Sequence, residues 1–231
     1  MRLHRFFVNQ PIKSSKEISI EDRDVIHQWK NVFRLKSQDE VILLDNSGFE
    51  YLCEIEDLSR DFARLKKIGS REVEGKQKKE LTLFCSLIKK DNFEWVLEKG
   101  TELGVSEFAP VVSERSEKKD FNFERGLKII KEASEQSGRG TMPKLRETTG
   151  LEKAISDYSG NLIAFDPSGE DFSVEKVSDF KEIGVLIGPE GGFTENELVL
   201  FKQKVIPVYN LGSQILRAET AAIAISSLLL L

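Results

Sequence analysis

The sequence predicts an α/β fold in which a mostly parallel sheet is covered by helices on both faces, with a smaller β-rich domain before it. Three observations lead to this prediction. After residue 80, short apolar runs alternate with amphipathic helical segments, as in sheets built with crossover helices. The apolar runs are nearly continuous, as expected of strands buried on both faces. Before residue 72, the pattern is one of strands and turns.

The N-terminal region, residues 1–72, is predicted to be mainly β-structure. Two apolar runs within 40–55 flank the turn-forming segment DNSG (45–48), so a hairpin is expected there. The alternating segment 62–68 extends this hairpin into a three-stranded meander. One short helix is expected near 21–34.

The polar segment 69–80 contains two glycines and is predicted to be a linker. Residues 1–72 therefore form one predicted domain, and residues 73–231 form the second. Pro207 cannot donate a hydrogen bond to a neighbouring strand, so the last strand is expected to lie at an edge or to begin after this residue. Strands of the second domain are predicted at 81–88, 105–113, 161–167, 182–189 and 205–212.

Helices are predicted between and after these strands, at 91–104, 122–138, 194–205 and 218–230. Asp91, Asn122 and Thr194 are the expected N-caps, because short polar side chains there accept hydrogen bonds from the first turn. Thr194 and Glu197 also have the spacing of a capping box. Gly104 is expected to end the first helix.

The composition is that of an ordinary globular chain, with 231 residues of which 39% are hydrophobic and 32% charged. Cys53 and Cys85 lie far apart and the chain has two histidines, so neither a disulfide framework nor a metal site is expected. Reduced cysteines are typical of a cytoplasmic protein. The N-terminus is too weakly apolar for a signal peptide, and the C-terminal AAIAISSLLLL is too short to span a membrane.

Charge is unevenly distributed along the chain, whose net charge is −5. Residues 115–146 contain nine Lys and Arg against five Asp and Glu, whereas 150–200 contain three against eleven. A local basic surface on an acidic protein can bind phosphates, because association depends on the local field. Charged surfaces that only contact solvent would give the same counts.

Three predicted strand ends carry distinctive loops, FDPSG (165–169), GPEGG (188–192) and LGSQILRAET (211–220). Ligands of such sheets bind at the carboxyl ends of the strands. Neither a Walker loop nor a Rossmann fingerprint is present. Pro189 lacks an N–H donor and Glu190 would repel phosphate, so a cationic or neutral, adenine-bearing ligand fits this loop better. A purely structural turn between strand and helix is the alternative interpretation.

Arg217 is the residue that local structure explains least. It stands just before a predicted helix N-terminus, where a cation is disfavoured. An acidic partner or an anionic ligand would explain its position, and Glu190 on the neighbouring loop is a candidate partner. A structural salt bridge and a catalytic role remain equally open.

Several segments resemble the RsmE family of 16S ribosomal RNA methyltransferases and occur in the family's order. The two most typical are IGPEGGFTENE (187–197) and LGSQILRAETA (211–221). Because the similar blocks are spread over nearly the whole chain, the resemblance is specific. The other similar blocks are 97–116, 132–145, 1–8 and 27–45.

The resemblance implies a PUA-like, RNA-binding β-barrel over 1–72 and a SPOUT-type methyltransferase domain with a C-terminal trefoil knot over 73–231. It also implies a homodimer that uses S-adenosylmethionine and no metal, and that methylates N3 of a uridine in 16S rRNA of the small ribosomal subunit. The cofactor-binding residues expected on this basis are Phe165, Asp166, Ile187, Gly188, Pro189, Gly191, Gly192, Leu211, Gly212, Ile215, Leu216 and Ala218.

Two residues are expected to take part in the chemistry. Arg217 is the first candidate for stabilising negative charge on the uracil oxygens. Glu190 would orient Arg217 or lie near the sulfonium. The arginines expected to contact RNA are Arg2, Arg5, Arg34, Arg115 and Arg139.

One position departs from the family pattern, because Gln214 stands where the family usually has arginine. If that arginine contacts RNA, this chain lacks one contact, while the fold and cofactor binding are unaffected. Two alternatives therefore stay open, a methyltransferase of another RNA such as tRNA and a non-catalytic RNA-binding assembly factor of the same fold.

Overall fold

A computed structural model describes residues 3–73 and 79–231. The chain divides into two compact units. One comprises Met1–Gly75 with Ser134–Met142, and the other comprises Lys76–Ala133 with Pro143–Leu231. The predicted linker 69–80 is wrong in its first part, because residues up to Glu72 continue a β-strand. Residues 74–78 of this segment lie outside the described residues.

The first unit contains a sheet in which the strands follow the order β1-β3-β4-β5-β2. The predicted hairpin is confirmed, since β3 and β4 pair antiparallel with Leu44 opposite Glu50. The short helix is also confirmed, and it continues as a π-helical turn over Gln28–Val32. The elements are β1 (Arg5–Phe7), β2 (Glu17–Ile20), α1 (Arg23–His27), β3 (Glu40–Leu44), β4 (Phe49–Leu58) and β5 (Ala63–Glu72).

The core of this unit forms where alternating strand residues meet the helical segment. Trp29 and Phe6 are fully buried, with ring centroids 5.3 Å apart, and Tyr51 of β4 is buried in the same cluster. Asp22 caps α1 by accepting hydrogen bonds from the backbone N–H groups of Asp24 and Val25.

The second unit contains a seven-stranded sheet in the order β12-β10-β11-β6-β7-β8, with β9 also paired to β7. Every pairing between described residues of this sheet is parallel, which confirms the predicted sheet type. The strands are β6 (Glu80–Ser86), β7 (Glu107–Val112), β8 (Lys144–Leu145), β9 (Thr149–Gly150), β10 (Asn161–Asp171), β11 (Glu182–Ile187) and β12 (Val208–Asn210). The helices are α2 (Lys90–Leu103), α3 (Phe123–Ser137), α4 (Leu151–Ser156), α5 (Glu195–Gln203) and α6 (Ala218–Leu230).

Helix ends largely follow the predicted capping residues. Asn122 accepts a 2.9 Å hydrogen bond from the N–H of Arg125, and Thr194 and Glu197 form the predicted capping box. Gly104 ends α2 with a left-handed φ of 107°. The cap predicted at Asp91 is wrong, because α2 begins earlier and this carboxylate lies inside its first turn. There it still complements the helix dipole.

Strand register places the three distinctive segments at the same end of the sheet, but FDPSG (165–169) is not a loop as predicted, because β10 continues through it to Asp171. Phe165 of β10 lies opposite Ile187 of β11 on one side and Tyr209 of β12 on the other. The chain therefore leaves all three parallel strands in the same direction. β12 is an edge strand that begins after Pro207, as expected.

Two features that bear on function are absent from residues 3–73 and 79–231. None of the helices there is both long enough and apolar enough to cross a membrane. Within the same ranges, no group of three or more His, Cys, Asp and Glu side chains is arranged to hold a metal ion.

Candidate functional site

An open cleft of about 1430 Å³ lies at the carboxyl ends of β10, β11 and β12. Its walls are the last part of β10 from Phe165 onward and the loops that follow β11 and β12, together with Lys89 and Asn92 at the start of α2, and Arg115. Glu190, Gln214 and Arg217 also line it. The structure brings to this one cleft all twelve residues predicted to bind the cofactor, namely Phe165, Asp166, Ile187, Gly188, Pro189, Gly191, Gly192, Leu211, Gly212, Ile215, Leu216 and Ala218.

The 188–192 loop turns tightly at the end of β11. The N–H of Gly192 donates a 2.9 Å hydrogen bond to the carbonyl of Pro189, and Gly192 has φ +68°, which a side chain would strain. A Cβ on Gly188 would lie 3.3 Å from the ring of Phe193. Glycines here therefore let the backbone turn closely at the end of β11.

Arg115 holds this loop in place. Its Nη1 donates to the carbonyl of Gly191 at 2.8 Å and to that of Phe193 at 3.2 Å. The sequence assigned this arginine to RNA contact, and that role stays a prediction. In the structure, its guanidinium contacts the loop of the cleft.

Glu197 joins the same loop to the segment after β7. Its side chain is buried; Oε2 accepts from the N–H of Thr194 at 2.8 Å and Oε1 from the N–H of Glu114 at 2.9 Å. One carboxylate thus satisfies donors from two separate loops, and it fixes the position at which α5 begins.

Glu190 contacts the start of α2 rather than Arg217. Its Oε1 accepts a 3.1 Å hydrogen bond from the backbone N–H of Lys89, the N-cap residue of α2. Among the residues that the structure describes, no ion pair joins Glu190 to Arg217, so the partnership considered from the sequence is wrong for this structure. Arg217 is the N-cap residue of α6, and it is exposed on the wall of the cleft.

Aromatic rings form another part of the wall. Phe165, Phe172 and Tyr209 pack against one another with centroid distances of 5.2 Å for Phe165–Phe172 and 5.6 Å for Phe172–Tyr209. The Nζ of Lys176 lies 4.7 Å from the centroid of Tyr209. Such a surface suits a planar group, and the sequence alone indicated only Phe165 among these residues.

Glu219 is a residue of the cleft that the sequence explained only as part of a helix start. It is 4% exposed, and its Oε2 is buried without a hydrogen-bond partner among the described residues. Burial raises the pKa of the neighbouring Cys85 thiol to about 12, and the carboxylates of Glu190 and then Glu219 contribute to the rise. The cleft floor is therefore electronegative, which fits the cationic sulfonium of S-adenosylmethionine.

The remaining arginines predicted to bind RNA belong to the first unit. Arg5 lies 3.4 Å from Glu50, which also pairs with Arg71. Arg34 is exposed with φ 55°, and burial lowers the pKa of Arg139 to about 10. Arg2 lies outside the described residues. Their RNA contacts stay predictions.

Comparison with known proteins identifies the family to which this site belongs. A family model described as an RNA methyltransferase domain matches residues 75–230, and one described as an RNA methyltransferase PUA domain matches residues 30–68. A Rickettsia conorii protein named ribosomal RNA small subunit methyltransferase E is 33% identical, over 96% of this chain and 93% of its own length. This chain belongs to the RsmE family of RNA methyltransferases.

Other RsmE proteins are similar over the same extent. The Bacillus subtilis protein of that name is 29% identical, covering 95% of this chain and 93% of its own length. The crystal structure of the Neisseria gonorrhoeae protein, solved with S-adenosylmethionine bound, has a TM-score of 0.88 at 24% identity and covers 98% of this chain and 96% of its own. The RsmE fold therefore extends over both units of the chain.

Proposed function

We propose that this protein transfers a methyl group from S-adenosylmethionine to N3 of a uridine in the 16S rRNA of the small ribosomal subunit. The observation that carries the proposal is the convergence of three strand-end segments on one electronegative cleft, in a chain of the RsmE family. Membership of the family supports the RNA substrate. The cleft supports the cofactor, because its exposed backbone suits an adenine and its buried carboxylate suits a cation.

The reaction needs no metal. When bound, S-adenosylmethionine would supply an electrophilic methyl carbon, with the C–S electron pair left on sulfur, and N3 would give up its proton to solvent before or during transfer. The residues of the chain must hold this methyl and N3 in line and stabilise the negative charge that spreads onto the uracil oxygens. Backbone groups of 188–192 and 211–218 would hold the cofactor.

Arg217 is the proposed electrostatic catalyst. Its side chain is exposed in the cleft at the start of α6, and the described residues offer it no acidic partner within ion-pair distance. A free guanidinium there can donate to a developing oxyanion. Glu190 is the proposed positioning residue, since its hydrogen bond to Lys89 ties the 188–192 turn to the start of α2.

The remaining partners follow from the family. We propose a cytoplasmic homodimer acting on the small ribosomal subunit, with Arg5, Arg34 and Arg139 contributing to RNA binding. Gln214 lines the cleft. It stands where the resemblance leads us to expect an arginine, so we propose that substrate affinity rests on the other cations.

Substitution of Arg217 tests the proposed mechanism. Arg217→Ala should lower kcat for methyl transfer to small ribosomal subunits by about 100- to 1,000-fold, because one group that stabilises the transition-state charge is lost. The affinity for S-adenosylmethionine, measured by calorimetry, should change little. Lys202→Ala is the control, since Lys202 is exposed on α5 and does not line the cleft. Unchanged turnover in Arg217→Ala would remove Arg217 from the mechanism.

A further inference from the structure

A buried carboxylate oxygen without a hydrogen-bond partner is an unusual feature in a folded protein, and Oε2 of Glu219 is one among the described residues. Glu219 is 4% exposed, and its buried Oε2 has no partner within the ranges 3–73 and 79–231. Burying a charged group without compensation is costly. The N-terminal turn of α6 offsets only part of this cost through its dipole. The larger part needs a cationic or donating group, which the described residues do not supply to Oε2.

The position of Glu219 shows from which side that group would come. Glu219 belongs to the first turn of α6, which packs on β6 and β11. It lines the cleft, so its free side faces the ligand space at the ends of these central strands. The raised pKa of Cys85, at the end of β6, results first from burial and then from Glu190 and Glu219. Glu190 and Glu219 thus both lie close enough to Cys85 to act on its thiol, which places two carboxylates at this end of the sheet.

The cations of the cleft do not cancel the charge of these carboxylates. Arg115 is bound to two loop carbonyls. Lys89, Arg115 and Arg217 are all exposed, so water and salt screen their charges. A buried carboxylate is screened much less, and it dominates the field near its own side chain.

We propose that Glu219 makes the cleft bind S-adenosylmethionine, with its positively charged sulfur, more tightly than the product S-adenosylhomocysteine, whose sulfur is neutral. This proposal rests on the proposed function. S-adenosylmethionine and S-adenosylhomocysteine share the adenosine, the α-ammonium and the carboxylate. They differ by one methyl group and by the positive charge on sulfur. Glu219 therefore favours binding of the sulfonium and, once the charge is lost, favours release of the thioether.

This role has a kinetic signature of its own. An attraction to the sulfonium stabilises the bound cofactor before transfer and weakens as the sulfur loses its charge. Removing it should raise KM for S-adenosylmethionine without lowering kcat. A group that stabilises the transition state, such as the proposed Arg217, would instead lower kcat.

Calorimetric titration of the full-length protein with both compounds tests the proposal. Wild-type protein should bind S-adenosylmethionine more tightly than S-adenosylhomocysteine, at low and at high salt. Glu219→Gln, which keeps size and packing, should weaken S-adenosylmethionine binding about tenfold or more and change S-adenosylhomocysteine binding less than about threefold. Glu195→Gln is the matched control, because Glu195 also lies in the first turn of a helix but is exposed and outside the cleft. It should leave both affinities unchanged.

Each contrary outcome overturns the proposal in a recognisable way. An equal loss for the two compounds in Glu219→Gln would mean that the residue holds the helix start or the shared part of the ligand. Equal or tighter binding of S-adenosylhomocysteine by the wild type would overturn the proposal even if the variant does not fold. If the wild type binds neither compound, the proposed methyltransferase function itself is wrong. This result differs from the two outcomes above, in which the protein binds the cofactor but Glu219 does not discriminate.

Discussion

Glu197 shows how one side chain can hold a ligand-binding loop in place. Its two carboxylate oxygens accept from the N–H groups of Thr194 and Glu114, and the side chain is buried next to the loop that Arg115 braces. Because both bonds are charge-assisted and partly buried, no water molecule replaces them at equal strength. The geometry of the cleft therefore depends on a residue that does not line it.

Truncation of Glu197 should lower both stability and cofactor affinity. Glu197→Ala leaves two backbone donors unsatisfied and should reduce the free energy of unfolding by about 2–3 kcal/mol in urea titrations. Glu195→Ala, in the same helical turn but exposed, should change it by less than about 0.5 kcal/mol. Equal effects of the two substitutions would contradict the role given to Glu197.

Among the elements, the extension of β10 decides the shape of one cleft wall. After Phe165 the register with β12 shifts, and pairing resumes where Glu170 lies opposite Tyr209. At Gly169 strands β10 and β12 approach so closely that a Cβ would lie 2.6 Å from the backbone nitrogen of Tyr209. Backbone atoms cannot move aside as a flexible side chain can, so only glycine fits this position.

Gly169→Ala is therefore expected to be costly. Overpacking of this kind lowers the free energy of unfolding by about 1–3 kcal/mol, and here it should also weaken cofactor binding by displacing the aromatic wall. Gly150→Ala serves as the control, because a Cβ there meets nothing within 4 Å and φ is −68°. Thermal unfolding measures the loss of stability, and calorimetry measures the loss of cofactor affinity. A Gly169→Ala protein as stable as the Gly150→Ala protein would refute the steric argument.

The elements also show what the sequence could predict. The run of small and apolar residues after Arg217 predicted a helix over 218–230, and α6 spans those residues. α4 has six residues and β8 two, lengths at which periodicity gives no usable signal. The parallel pairing of β1 with β3 joins segments more than 30 residues apart, which no local pattern encodes.

For the candidate site, the sequence predicted which residues line the cleft better than it predicted the contacts of their side chains. The resemblance named twelve residues that all line one cleft. Glu219 was missed because a helix start explains an acid locally, whereas its burial depends on the packing of α6 against β6 and β11. Glu190 was assigned a possible partner in Arg217 because their loops are neighbours, but its hydrogen bond goes to Lys89. Side-chain partners at a loop depend on tertiary geometry, and short motifs do not contain it.

At the scale of the whole molecule, RNA binding should depend on salt. Each arginine that neutralises a phosphate adds about 0.7–0.9 to the slope of log affinity against log salt concentration. Arg34→Gln should reduce that slope by about this amount, measured by filter binding to small-subunit RNA at several salt concentrations. Lys153→Gln, exposed on α4, is the control. An unchanged slope for Arg34→Gln would remove Arg34 from the RNA interface.

The most direct test of the central claim is mapping of the methylated nucleotide. The protein is incubated with S-adenosylmethionine and small ribosomal subunits that lack the modification, and the RNA is digested and sequenced by mass spectrometry. The account predicts one additional methyl group at N3 of a single uridine in 16S rRNA, formed about 100- to 1,000-fold more slowly when Arg217→Ala replaces the wild type under the same conditions. A methyl group on tRNA, on another atom, or on no RNA at all would contradict it.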